Sequence, residues 1–113
     1  MATNPEQSFS VEHDDEGPDH VMTVAGEVDI YAATRFEAEL AKGYAAQGRM
    51  IVDLRKCRYI DSSAISTLTR ANRQSRGKLH LVVDGECKVK RILDVTQIEK
   101  IVPVHSSVED ARS

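Results

Sequence analysis

The sequence predicts a single α/β domain on a mixed β-sheet, with an N-terminal hairpin followed by alternating strands and covering helices. Three patterns carry that expectation. Met50-Ile51-Val52-Asp53-Leu54 is a short apolar run with the length and β-branched content of a buried strand. Ala64, Ile65, Leu68 and Ala71 then recur at helical spacing until Gly77 supplies a stop. Near the start, Phe9, Val11 and His13 alternate with Ser10 and Glu12, as in a strand with one buried face.

Taken in order, residues 1–7 read as a polar, disordered lead-in, and the domain as residues 8–112. The cluster Asp14-Asp15-Glu16-Gly17-Pro18-Asp19 is turn-forming, and Val21, Thr23, Val24 and Ala25 make a second strand that pairs back as a hairpin. Gly26-Glu27-Val28-Asp29 closes that strand. Ala32, Ala33, Phe36, Leu40 and Tyr44 then share one side of a helix that ends before Gly48. The third strand spans residues 49–54, and a helix follows from about Ser63 to Arg76.

Lys78–Val83 reads as a fourth strand, and Val89, Ile92 and Leu93 mark a short helix after the turn pair Asp84-Gly85. Ile101–Val104 is a last strand, placed at an edge by Pro103, which has no N–H to donate. Ser106-Ser107-Val108-Glu109 has the form of a capping box and starts a closing helix. One core is expected from Ala33, Phe36 and Leu40 with Val24, Ile51, Leu54, Leu68, Leu81 and Ile92. Parallel pairs built this way gather the loops after their strands on one rim. The loops Cys57–Ser63, Asp84–Lys88 and Gly26–Tyr31 are expected there.

At 113 residues and 12.5 kDa the chain has room for one core and no second domain. No apolar run approaches a membrane span, and the N-terminus lacks the basic and apolar regions of a signal peptide, so a cytoplasmic protein is expected. Cys57 and Cys87 are too few and too far apart for a disulfide framework or a zinc site, and read as two free thiols. The net charge of -3 hides an asymmetry, because all fifteen Lys and Arg lie from residue 35 onward. With two Phe and no Trp, that basic part has little for stacking on bases, which argues against direct nucleic-acid binding.

Catalytic readings find no support. There is no G-x-S-x-G elbow, phosphate-binding glycine loop or H-E-x-x-H, and His13, His20, His80 and His105 lack metal-ligand spacing. No base is named for Ser62 as a hydrolase nucleophile. The expectation is a protein that is not an enzyme and holds no cofactor or metal. Asp61-Ser62-Ser63-Ala64 stands where strand passes to helix. Two roles are open for its serines: capping the helix, or accepting a phosphoryl group where free N–H donors and the helix dipole favour an anion.

Four stretches together resemble a stand-alone STAS domain of the anti-sigma factor antagonist type. Gly26-Glu27-Val28-Asp29, with Tyr31-Ala32, resembles the family's G-E-[LIV]-D motif, and Ile51-Val52-Asp53-Leu54 its central strand. Tyr59-Ile60-Asp61-Ser62-Ser63 resembles its phosphorylation loop, D-S-[ST]-G, and Val95–Ala111 the tail of actinobacterial-type members. The resemblance implies an antagonist that binds an anti-sigma factor serine kinase and so releases a sigma factor. Phosphorylation of Ser62, with Ser63 the alternative, would end binding, and a serine phosphatase would reset the switch. Glu27, Asp29, Tyr31, Arg58, Asp61, Ser62, Ser63 and Ala64 are the residues it places at the partner. A monomer or weak dimer is expected.

Ala64 stands where the family pattern has Gly, and the helix after it is more polar than is common in the family. Those departures keep a second reading in view, a STAS adaptor without a switch or a small-ligand-sensing subunit of a larger complex. The bases Arg55, Lys56, Arg58, Lys88, Lys90 and Arg91 are expected near the same rim, either as a solvated surface or as an attraction for phosphate or an acidic partner.

Overall fold

In a computed structural model describing residues 9–113, five strands form one sheet in the order β1-β2-β3-β4-β5. The expected lead-in, residues 1–7, lies outside the described residues. β1 (Phe9–Glu16) and β2 (Asp19–Val28) are antiparallel, and β3 (Met50–Ile60), β4 (Leu79–Val82) and β5 (Val104–His105) continue in parallel. The helices are α1 (Ala33–Ala41), α2 (Ser62–Gln74), α3 (Lys88–Thr96) and α4 (Val108–Arg112), with a 3-10 turn at Ile98–Lys100. This is the mixed α/β architecture that the strand and helix patterns predict.

Alternation along the strands divides the core in two. Met22, Val24, Val52, Leu54 and Leu81 point to the face that also holds Phe36 and Leu40 of α1, Leu68 of α2 and Leu93 of α3. Val21, Ile51 and Val82 point the other way and meet Ala111 and Val108 of α4. Ile51 therefore does not join the core expected of it: one residue of register moves it to the opposite face. Ala33 is half-buried while its neighbour Ala32 is buried, so α1 is turned slightly from its expected facing.

Other boundaries also differ from expectation. Asp14–Glu16 is strand rather than turn, because Glu16 pairs with Asp19 and leaves only Gly17-Pro18 to reverse the chain. Gly17 makes this tight reversal possible at φ +63°, a conformation side chains disfavour. α1 ends at Ala41, and Tyr44 lies in the following turns, packed on the core from outside the helix. β4 starts at Leu79, one residue after Lys78.

The last strand is Val104–His105 rather than 101–104: Ile101 is exposed, and the ladder to β4 starts where the Leu81 N–H reaches the Pro103 carbonyl at 2.9 Å. It is an edge strand, as Pro103 suggests. Ser107 caps α4 by accepting the Asp110 N–H at 3.1 Å.

The difference that matters most is the length of β3. It runs on past Leu54 to Ile60, so Cys57–Ile60 is strand and not loop. Its partner β2 continues alongside, with register shifts between Thr23 and Ala25 and between Gly26 and Glu27. Gly26 sits at the second shift with φ +93°, which explains on physical grounds why glycine opens the G-E-V-D stretch. The bulges hide the strand from sequence reading, since they break the alternation through Arg55, Lys56 and Arg58.

Candidate functional site

The extended β3 brings two of the sequence stretches side by side. Glu27 is paired with Tyr59 and Val28 with Ile60, and the Asp61 N–H donates to the Val28 carbonyl at 3.3 Å. The G-E-V-D stretch and the D-S-S stretch thus form one continuous rim at the carboxyl ends of β2 and β3. Two turns leave it, one into α1 and one into α2.

Asp29 shapes the first turn. Its Oδ1 accepts the N–H groups of Tyr31 and Ala32 at 3.0 and 3.1 Å, doing for α1 what the side chain of Ala32 at the N-cap cannot do. The fold it imposes leaves Ile30 73% and Tyr31 77% exposed. Tyr59, on the neighbouring strand, is exposed as well. Tyr31 is among the residues expected at the partner, whereas Ile30 and Tyr59 were not singled out there, although Tyr59 opens the D-S-S stretch. A signal was present, since both flank the two motifs and neither belongs to an apolar period.

The second turn settles which residue caps α2. Asp61 is the N-cap, in an extended conformation, and its Oδ1 accepts the Ala64 N–H at 3.0 Å. Neither serine is the cap. Ser63 is nonetheless tied into it, its hydroxyl donating to the same Oδ1 at 2.6 Å. Ser62, the first residue of α2, is exposed, and among the described residues its hydroxyl has no hydrogen-bond partner. Ala64 is 1% exposed inside regular helix, a setting that suits alanine and needs no glycine.

Three of the six bases expected near this rim, Arg55, Arg58 and Lys90, are engaged with acids of the chain. Arg58 faces Glu27 at 3.6 Å across the β2–β3 pair, with both side chains well exposed. Arg55 grips Asp53, Nε to Oδ1 at 3.0 Å and Nη2 to Oδ2 at 2.8 Å, and this bidentate bond raises the Arg55 pKa above its ordinary value. Lys90 pairs with Asp94 along α3. Lys56, Lys88 and Arg91 have no acid partner among the described residues, so the bases here are only partly compensated. Cys57 is buried in β3, where burial pushes its thiol pKa up, and Cys87 caps α3 by accepting the Lys90 N–H at 3.4 Å. Both are free thiols. Among the described residues no three His, Cys, Asp or Glu side chains form a group that could hold a metal ion, and no helix is long and apolar enough to cross a membrane.

The family profile of the STAS domain matches residues 10–111. The chain belongs to the STAS domain family. Its fold is similar to that of an anti-sigma factor antagonist from Mycobacterium paratuberculosis, with a TM-score of 0.84, 20% identity, and coverage of 97% of this chain and 95% of that one. It also resembles the Bacillus cell fate determinant SpoIIAA in the phosphorylated form, with a TM-score of 0.61, 16% identity, and coverage of 91% and 95%. A sulfate transporter family protein from Wolinella succinogenes is similar too, with a TM-score of 0.64, 18% identity, and coverage of 84% and 82%. Identities this low establish the shared fold and leave the role of the STAS domain to its own side chains.

Proposed function

We propose that this STAS domain is an anti-sigma factor antagonist that binds an anti-sigma factor serine kinase in the cytoplasm, releases a sigma factor, and is switched off by phosphorylation of Ser62. One observation supports it most: of the two adjacent serines, only Ser62 presents an exposed hydroxyl without a partner among the described residues, while Asp61 supplies the cap and holds Ser63. The Ser62 oxygen takes the γ-phosphoryl group of ATP, the bond to ADP breaks, and the hydroxyl proton passes to a base on the kinase. A phosphatase returns the serine by hydrolysis.

The physics of the site fits a switch of binding rather than of folding. A phosphate adds about 1.5–2 negative charges and three acceptor oxygens. Placed on the first residue of α2, it meets the positive end of the helix dipole, beside an Asp61 carboxylate that is already engaged by the Ala64 N–H and the Ser63 hydroxyl. The domain tolerates it. The kinase, docked over Ile30, Tyr31 and Tyr59 with Glu27, Asp29, Arg58 and Asp61 around them, meets an added anion at the contact, and the complex separates.

Kinase, ATP and the chain together should yield a singly phosphorylated product, mapped to Ser62 by fragmentation mass spectrometry. Ser62→Ala should abolish it and Ser63→Ala preserve it. Phosphate on Ser63, or none on the wild type, contradicts the reading.

The likeness to a sulfate transporter family protein favours one second reading, a STAS adaptor without a switch, or a ligand-sensing subunit, within a larger complex. Native pull-down distinguishes them: a transporter or scaffold subunit in place of a kinase supports the adaptor.

A further inference from the structure

The four histidines stand two by two. His13 and His20 face each other across the β1–β2 hairpin, Nδ1 to Nε2 at 2.9 Å. Each outer nitrogen meets a carboxylate: His13 Nε2 lies 3.0 Å from Glu39 Oε1 on α1, and His20 Nδ1 lies 2.8 Å from Asp15 Oδ1 on β1. Lys42 holds the other Glu39 oxygen at 2.8 Å. On the far side of the sheet, His80 of β4 and His105 of β5 make the same inner contact, Nδ1 to Nε2 at 2.9 Å. Their outer nitrogens have no carboxylate among the described residues.

Counting protons separates the pairs. An ionised carboxylate only accepts, so both outer nitrogens of His13 and His20 must carry hydrogen. The inner contact needs another, or two lone pairs face each other at 2.9 Å. Two neutral imidazoles bring only two N–H protons between them. The chain Glu39–His13–His20–Asp15 is therefore complete only with three ring protons and one positive charge. The His80–His105 pair is complete with two, and burial, then His105, then Arg49 keep the His80 pKa below its ordinary value. A metal ion does not explain the first pair, since tetrahedral ligands about 2.0–2.1 Å from zinc stand well over 3 Å apart.

We propose that His13 and His20 form a proton-binding site that takes up one proton from water as α1 docks on the β1–β2 hairpin. The groups facing it are Asp15 on β1, Glu39 on α1 and Lys42 just after it, with Gly43 close to the His20 ring and Met50 opposite His20 in the β2–β3 ladder. Glu12 and Asp14 alternate to the other face of β1. Lys42, with His13, holds the Glu39 carboxyl below the usual range, so the proton resides on the rings. The added charge lies between two carboxylates and is bound in the folded state.

The site lies at the start of β2, at the opposite end of the β2–β3 pair from Ser62, and α1 reaches both ends. Long-range proton–nitrogen correlation spectra of the nitrogen-15-labelled chain at pH 7 count ring protons directly. Three on His13 and His20 together, against two on His80 and His105, is the expected result; two on each pair overturns the proposal. Glu39→Gln keeps an acceptor and removes the charge, and should lower the pH midpoint of third-proton loss by about one unit or more. Asp15→Asn at the exposed end should act in the same direction, and the His80–His105 signals report in each variant that the sheet is intact. Midpoints unmoved in both variants also overturn it.

Discussion

The Ser63 hydroxyl lies 2.6 Å from Asp61 Oδ1, the oxygen that also accepts the Ala64 N–H. One carboxylate thus starts α2 and occupies the second serine, leaving the first without a partner among the described residues. Asp61→Ala should lower stability by about 1 kcal/mol, the usual cost of a lost N-cap, with Asp61→Asn close to wild type. Urea unfolding measures both. In Asp61→Ala the Ser63 hydroxyl is released, so the kinase should also begin to modify Ser63. Phosphate still confined to Ser62 in that variant would mean that the kinase, and not the cap, selects the serine.

Phe36 is fully buried on α1, its ring meeting Phe9 edge-on at 6.3 Å and 86°. Phe36→Ala should cost about 3–5 kcal/mol, the range for removing a large aromatic from a core that cannot collapse around the space. Equilibrium unfolding checks it, and a loss under about 1 kcal/mol would mean that α1 is held by something other than this contact.

The α/β order, the hairpin and α2 were legible in the sequence because each rests on local periodicity or local turn chemistry, and the neighbourhood of the G-E-V-D and D-S-S stretches because parallel strands gather the loops after them on one rim. The length of β3 was not, because bulges at Thr23–Ala25 and Gly26–Glu27 interrupt the alternation that strand reading depends on. Capping was open to either serine on sequence, whereas Asp61 holds the cap, since both residue types cap helices well and only geometry separates them. Ile51 showed as core but not which face it serves. The histidine pairs were invisible, as His13 meets His20 across a turn and His80 meets His105 only through a parallel ladder.

Acid should weaken the β4–β5 side of the molecule. The His80 pKa is lowered from 6.5, by burial first, so the unfolded chain binds a proton that the folded chain refuses. Stability from this group is complete above the unfolded value and is lost as pH falls from about 6.5 toward the lowered folded pKa. Denaturant unfolding at several pH values should show a smaller acid loss for His80→Gln than for wild type. Parallel curves would remove His80 from the account.

The central claim is that phosphate on Ser62 acts at the contact with the kinase and not on the fold. Calorimetric titration of the anti-sigma factor kinase with the unmodified chain, the Ser62-phosphorylated chain and Ser62→Asp tests it, with a thermal melt of each. All three should stay folded, and the phosphoprotein should bind at least about tenfold more weakly, a difference of about 1.4 kcal/mol. Ser62→Asp, with less charge than phosphate, should fall between. Equal affinity of the phosphorylated and unmodified chains would contradict the claim, as would a phosphoprotein that fails to bind only because it has unfolded.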